Sequence, residues 1–328
     1  MKKVCFYARV KDKSLFNLVG FYAQDIKIFE SLGYEVILVN SLKELLFCKA
    51  DLYYAWWFGY GIFPLIVSKL KGKQFVVTGN IHTQDGGNLK DWFWLKRIAM
   101  ILTMKYSSRT LFTSYTDMNR IEDLKLSNSE VVYHSVIENC ATIDNSIRKN
   151  IIVTITHLTK ENIKRKMLLE SIEAFSLIAK DIKDYKYYIC GTVGSGLEDV
   201  KEKINQLNMN EQIIIKGKIS DEEKKVLLLK SKIYLQPSTC EGFGLAIIEA
   251  ASLGVPVVTN SEPCIKEINE NSVEYGDTPA ELGHALLRLI KDEKYWNDMQ
   301  YKGLYKAKKY GFINRLNKFK SILETMEK

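Results

Sequence analysis

Two glutamates eight residues apart, Glu241 and Glu249, bracket the stretch of this chain that is richest in chemical possibilities. Between them runs Gly242-Phe243-Gly244-Leu245. The wider segment, Ile233 to Thr259, reads as strand, glycine-bearing loop, helix, a stop at Gly254 and a strand opened by Pro256. Glycines at 242 and 244 let the backbone approach a ligand closely. The first N–H groups of a helix starting near Leu245 lack intrahelical acceptors, which makes that end an anion site. One carboxylate before the helix and another about one turn inside it can border a single ligand at its two ends. Glu249 lies among Ala and Ile, so it is expected to be buried. A buried carboxylate needs partners, and the hydroxyls of a sugar or ribose would serve.

Less specific candidates lie elsewhere. His82 follows the apolar run Phe75–Thr78, in the glycine-rich loop Gly79 to Gly87. A second loop, Gly191-Thr-Val-Gly-Ser-Gly196, follows Tyr187–Cys190 and should border the site, although its spacing is not G-x-G-x-x-G. The histidines at 82, 134, 157 and 284 lack metal-ligand spacing. No Asp-x-Asp occurs in the chain. The expectation is therefore a site that uses neither a metal nor another cofactor.

These residues need elements to hold them, and the chain supplies short apolar runs alternating with amphipathic segments. That is the pattern of a doubly wound α/β protein. In the first half, strands are expected at Val4–Tyr7, Glu35–Asn40, Phe75–Thr78, Thr110–Thr113 and Val131–Tyr133, with a helix at Ala23–Leu32. The polar run Asp144–Asn150 reads as a linker. A second series then begins, with strands at Ile151–Ile155, Tyr187–Cys190, Ile213–Ile215 and Ile233–Gln236. Helices are expected at Met167–Ala179, Leu197–Leu207 and Asp221–Lys230. Two such halves imply a cleft between them, with ligands at the carboxyl ends of strands. The domains are expected at 1–143 and 144–310. A last helix within 311–328, spaced by Phe312, Leu316, Phe319 and Leu323, should return to the first.

Composition agrees with two domains, since 328 residues exceed the usual size of one. Apolar residues at 46% and charged ones at 26% exclude a disordered, collagen-like or disulfide-dense chain. The net charge is +8, and residues 1–110 hold 16 basic against 8 acidic side chains, so the first third carries the whole excess. This suggests anionic partners such as phosphates, acidic glycans or a membrane surface. Six cysteines without any C-x-x-C read as a reducing compartment. The first apolar run is too short for a signal peptide. The longest uncharged stretch, Leu52–Ser68, contains Gly59, Gly61 and Pro64 and falls short of spanning length. A cytoplasmic protein is expected. Trp56, Trp57, Phe58, Tyr60, Trp92, Phe93 and Trp94 sit beside Lys96 and Arg97 in this basic half. They leave three readings open: core packing, a glycan-stacking surface, or an interfacial helix over Trp92–Lys105 in peripheral contact with an anionic membrane.

The frame Pro237-Ser238, Glu241-Gly242-Phe243-Gly244-Leu245, Glu249-Ala250 and Gly254-x-Pro256-Val257-Val258 resembles the signature of retaining, nucleotide-sugar-dependent glycosyltransferases of family 4. The resemblance covers about residues 150–310. It implies the GT-B fold, two Rossmann-like doubly wound α/β domains facing a cleft. It also implies transfer of a sugar from a nucleotide sugar, such as a UDP- or GDP-sugar, to a glycan or lipid-linked acceptor. No nucleic acid is implied. By the same resemblance Glu241 holds hydroxyls of the donor sugar and Glu249 the ribose. Lys166 and the Gly242–Leu245 amides hold the diphosphate, Gly191 and Gly217 border the nucleotide, Glu267 follows the next strand, and His82 stands beside the sugar. The chain departs from the family in three places. It has Gly20 alone where a Gly-Gly loop is usual, Thr156-His157 where Gly-Arg is usual, and Met167 where glycine is usual. Lys160, Lys164 or Arg165 would then replace the missing arginine. The alternatives implied are a catalytically weak nucleotide-sugar-binding protein and a nucleotide-sugar epimerase of the same fold.

Overall fold

The computed structural model describes residues 1–81, 94–136 and 144–327. They form two compact units. One comprises Met1–Ser135 together with Phe312–Lys328, the other Val136–Gly311.

The first unit opens with β1 (Lys3–Tyr7), α1 (Leu15–Leu18), α2 (Gly20–Ser31), β2 (Glu35–Val39), α3 (Leu42–Phe47), β3 (Leu52–Trp56) and α4 (Ile62–Leu70). It continues with β4 (Gln74–Gly79), α5 (Trp94–Tyr106), β5 (Arg109–Phe112), α6 (Tyr115–Asn119) and β6 (Ser129–Val131). The strands pair in parallel in the order β2-β1-β3-β4-β5-β6. A parallel sheet is covered on both faces, so its strands read as unbroken apolar runs. Val4–Tyr7 and Leu52–Trp56 are buried throughout. The long uncharged stretch is thus no single element. It is β3 and α4, divided at Trp57, which takes a left-handed φ of 77°. No described helix is long and apolar enough to cross a membrane.

One polar group lies deep in this unit. Asp25 on α2 is fully buried and accepts hydrogen bonds from Tyr54 Oη at 2.5 Å and Trp56 Nε1 at 2.9 Å. Arg315 completes the cluster through Nη2 at 2.7 Å and Nε at 3.1 Å. A buried carboxylate is tolerable only with such partners. Because Arg315 belongs to the final helix, Phe312–Glu327, the cluster fastens that helix to the first unit, and Phe319 packs beside Phe29 and Tyr54.

The second unit runs β7 (Ile151–Ile155), α7 (Lys160–Arg165), α8 (Leu168–Ile178), β8 (Lys186–Cys190), α9 (Leu197–Gln206), β9 (Ile213–Gly217) and α10 (Asp221–Lys230). Then come β10 (Ile233–Leu235), α11 (Leu245–Ser252), β11 (Val257–Thr259), α12 (Pro263–Asn269), β12 (Glu274–Tyr275), α13 (Pro279–Lys291) and α14 (Glu293–Lys308). The final helix is α15. The sheet order is β12-β11-β10-β7-β8-β9, again all parallel. Chain order reverses between β7 and β10, and in sheets of this kind ligands sit outside the strand ends at that point. The polar run Asp144–Asn150 is tied to this unit, since the Arg148 guanidinium donates to Ser231 O at 2.7 Å and Gly254 O at 2.8 Å.

Candidate functional site

Two loops leave the sheet at the reversal point, one after β7 and one after β10, and the second holds the first in place. Ser238 Oγ donates to Arg165 O at 3.0 Å and Thr239 N does so at 2.8 Å. Asn260, beyond β11, grips Ser238 in turn, accepting from its N–H at 2.8 Å and donating to its carbonyl at 2.9 Å. The end of α7 is thereby pinned to the Pro237–Glu241 loop. This brings two neighbouring side chains onto one that lies 75 residues or more further along the chain: Lys166 donates to Glu241 Oε1, and Arg165 Nη1 reaches the same oxygen at 3.4 Å.

Lys166 and Glu241 are both buried. Burial pushes the Lys166 ammonium down from its ordinary range, the Glu241 carboxylate opposes that shift, and Arg165 adds to it. Gln236, at the end of β10, is a further partner. With its amide oxygen turned to Lys166 it accepts from Nζ at 2.9 Å and donates to Ile155 O at 3.0 Å. Glu262 caps α12 by accepting from Ile265 N at 2.9 Å, and its other oxygen meets Glu241 N at 3.4 Å. Lys166 and Glu241 thus meet largely shielded from water, where charge interactions are stronger than in solvent, while the Arg165 side chain is 26% exposed.

Gly244 forms the N-cap of α11 with φ 82°, a conformation that costs L-residues about 1–2 kcal/mol. The turn starts α11 at Leu245, four residues after Glu241, and Gly244 O accepts from Ile247 N at 2.9 Å. Phe243 supplies backbone only, because its ring is buried edge-on against Tyr310 at 5.1 Å.

Glu249 differs from expectation. Its side chain is 36% exposed and pairs with Lys224 of α10 at 3.3 Å. The reason is helical phase: at 100° per residue Glu249 stands about 200° from Ile247, opposite the buried stripe of Ile247 and Ala251. It is a half-solvated carboxylate with a lysine partner.

The remaining candidates spread along the same sheet edge. Lys160 starts α7 and is exposed, with its N–H bonded to Ser195 Oγ at 3.2 Å. Gly191 and Gly217 end β8 and β9, and Gly191 N donates to Gly217 O at 2.8 Å. They lie on the far side of β7 from Glu241, and Gly217 on β9 is three strand spacings, about 14 Å, from β10. A Cβ on Gly191 would fall 1.9 Å from Thr156 O, so glycine is required there for two loops to touch. Met167 takes the left-handed conformation, φ 44°, in front of α8, one that glycine adopts without steric cost. Glu267 lies half-buried on α12. His82, Trp92 and Phe93 fall outside the described residues. Of the other aromatics, Trp56 and Phe58 are core, which removes them from any glycan-stacking role, whereas Tyr60 and Trp94 are exposed. No group of three potential metal-ligating side chains occurs among the described residues.

Residues 144–305 match the family Glycosyl transferases group 1. That stretch is the second unit, with the charged cluster inside it. A poly(glycerol-phosphate) alpha-glucosyltransferase of Bacillus subtilis (strain 168) is 28% identical over 166 residues, 49% of this chain and 24% of that protein. The serotype-specific mannosyltransferase WbdA of Escherichia coli is 31% identical over 125 residues, 37% of this chain and 15% of that protein. The matches thus span a quarter or less of these relatives. Among solved structures, Anabaena HepE in complex with UDP and glucose superposes with a TM-score of 0.78 at 14% identity, over 99% of this chain and all of that one. The apo lipopolysaccharide outer core galactosyltransferase WaaB gives 0.71 at 13% identity, over 98% and 99%. Two six-stranded parallel sheets with flanking helices make this the GT-B fold.

Proposed function

We propose that the protein is a retaining glycosyltransferase that moves a sugar from a nucleotide-sugar donor, such as a UDP- or GDP-sugar, to a glycan or lipid-linked acceptor. The observation that carries the reading is the Lys166–Glu241–Arg165 cluster at the reversal point of the second sheet, in the loop that leads into α11. The glucosyl- and mannosyltransferase names of the relatives support the same reaction class.

In this proposal the donor diphosphate lies against Lys166, Arg165 and the first amides of α11. The bond between the sugar's anomeric carbon and the phosphate oxygen breaks, and its electron pair stays on the diphosphate. Pre-placed cations and N–H groups stabilise the charge that develops there. The acceptor oxygen forms the new bond on the same face of the sugar, and its proton leaves with the diphosphate. Glu241 orients sugar hydroxyls and holds Lys166; it is not a nucleophile, because such a leaving group needs no two-carboxylate apparatus. Glu249 takes the ribose, with Lys224 holding its carboxylate in place. No metal is required, since protein groups meet the leaving charge. The site of action is the cytoplasm, where the five described cysteines, all free and buried, stay reduced.

Product analysis by NMR tests this. The account predicts an α-linked product from an α-linked donor and unchanged turnover in EDTA. An inverted anomer, or loss in EDTA restored by Mg²⁺, would contradict it.

A further inference from the structure

Helices α3, α4 and α5 lie side by side on one face of the first sheet. Their inner residues Leu45, Leu65, Val67, Met100 and Met104 share one buried cluster with that face. Their outer residues include many large apolar side chains. On α3, Leu42, Leu46 and Phe47 are exposed, the last at 77%. Ile66 and Leu70 are exposed on α4, Leu70 at 80%. Then α5 presents Trp94, Leu95, Ile98, Leu102 and Tyr106. Ten large apolar side chains on three neighbouring helices are far more than a solvated surface needs.

The charges between them are nearly all of one sign. The three helices carry Lys43, Lys69, Lys96, Arg97 and Lys105 against a single acid, Glu44, which Lys13 neutralises at 2.8 Å. Helices that follow parallel strands run back across the sheet, so the C-terminal ends of α3, α4 and α5 meet the edge where β3, β4 and β5 begin. There Lys71 Nζ donates to Leu46 O at 2.8 Å, which places Leu46 beside the end of α4. Lys3, Lys49, Lys71 and Lys73 line a pocket of about 390 Å³ at that edge together with Asp51; Lys73 pairs with Asp51 at 3.6 Å and Lys3 with Glu35 at 3.1 Å, which leaves Lys49 and Lys71 as its excess positive charge. Lysines at helix C-termini are ordinary; exposed leucine and phenylalanine among them are not.

We propose that the α3–α4–α5 face docks peripherally on an anionic lipid bilayer. Leu46, Phe47 and Leu70 enter the headgroup–acyl boundary while the surrounding lysines meet lipid phosphates. Apolar side chains alone would suit a second protein equally; the basic excess of the three helices, five cationic side chains against one acid, is what selects an anionic surface. The sequence pointed only to Trp92–Lys105, because α3 and α4 are too short for their exposed faces to be told from core. This docking is independent of the donor-site reading and is tested without turnover.

The test is sedimentation of the purified chain with vesicles of phosphatidylcholine, with and without an equal part of phosphatidylglycerol. Binding to the mixed vesicles should exceed binding to phosphatidylcholine at least tenfold in about 0.01 M salt. It should weaken in about 1 M salt, where the Debye length falls from about 30 Å to about 3 Å. The triple variant Leu46→Ser, Phe47→Ser, Leu70→Ser should lose at least tenfold in binding with an unchanged melting temperature, because these side chains touch solvent. Lys43→Gln, Lys69→Gln and Lys105→Gln together should remove the preference for phosphatidylglycerol. Failure of the wild type to sediment, equal binding to both vesicles, or a triple variant that binds like the wild type overturns the proposal. So does a dimer in light scattering that the triple variant converts to monomer, since a second copy would then be the occupant.

Discussion

Lys166 and Glu241 are the residues whose burial decides what the site can do. Removing Glu241 takes from the buried Lys166 ammonium its carboxylate partner, whereas removing Lys166 leaves Glu241 paired with Arg165 at 3.4 Å. Glu249 is the opposite case: solvent reaches it, and its pairing with Lys224 is of the exposed kind that contributes little to stability. Its replacement by alanine should therefore move unfolding by no more than about 0.5 kcal/mol. If it holds the ribose, the contact is alike in ground and transition states, so Glu249→Ala should raise the donor KM about tenfold or more with kcat nearly unchanged. Steady-state kinetics checks this, and a fall in kcat at constant KM would assign Glu249 to the reacting centre. The sequence showed both glutamates and Lys166 but hid Gln236, Asn260 and Glu262. These contribute through hydrogen bonds across β10 and β11, and a pairing in space leaves no mark on local spacing.

At the scale of elements, the second unit was the more legible half. Strand β7 and helix α10 fall on the residues expected from periodicity, because each is flanked by clear punctuation and α10 carries the Ser220–Glu223 capping box. Strand β3 and helix α4 were not separable in the sequence. Both are buried and uncharged, and the break between them is made by Trp57, a residue type that gives no turn signal. Gly191 shows what a loop demands of its sequence. At φ 144°, with a Cβ 1.9 Å from a backbone oxygen, Gly191→Ala should cost at least about 3 kcal/mol, since the clash is with main chain and cannot be relieved by a rotamer change. Gly217→Ala, left-handed at φ 74° but with nothing within 4 Å, should cost only about 1–2 kcal/mol. Urea unfolding of the two variants checks this, and equal costs would show that the Gly191 and Thr156 loops are not in contact.

For the molecule as a whole, the uneven charge seen in the sequence resolves into a place. Much of the basic excess of the first third lies on α3, α4, α5 and the strand edge they reach, while the second unit concentrates its chemistry in one cluster. The polar linker of the sequence became a segment bound by Arg148, and the closing helix is secured to the first unit by a buried Asp25–Arg315 pair that no local pattern announces. The central claim is that the second unit binds a nucleotide sugar and that Lys166 meets the charge of its leaving group. The direct measurement is release of nucleoside diphosphate from a panel of UDP-, GDP- and ADP-sugars by the purified wild type and Lys166→Ala, with melting temperatures recorded to confirm folding. The account predicts release from one donor by the wild type and a fall of about 10²–10³ in kcat/KM, with kcat reduced, in the variant. A folded Lys166→Ala protein with wild-type kcat/KM, or no release from any donor by the wild type, would contradict it.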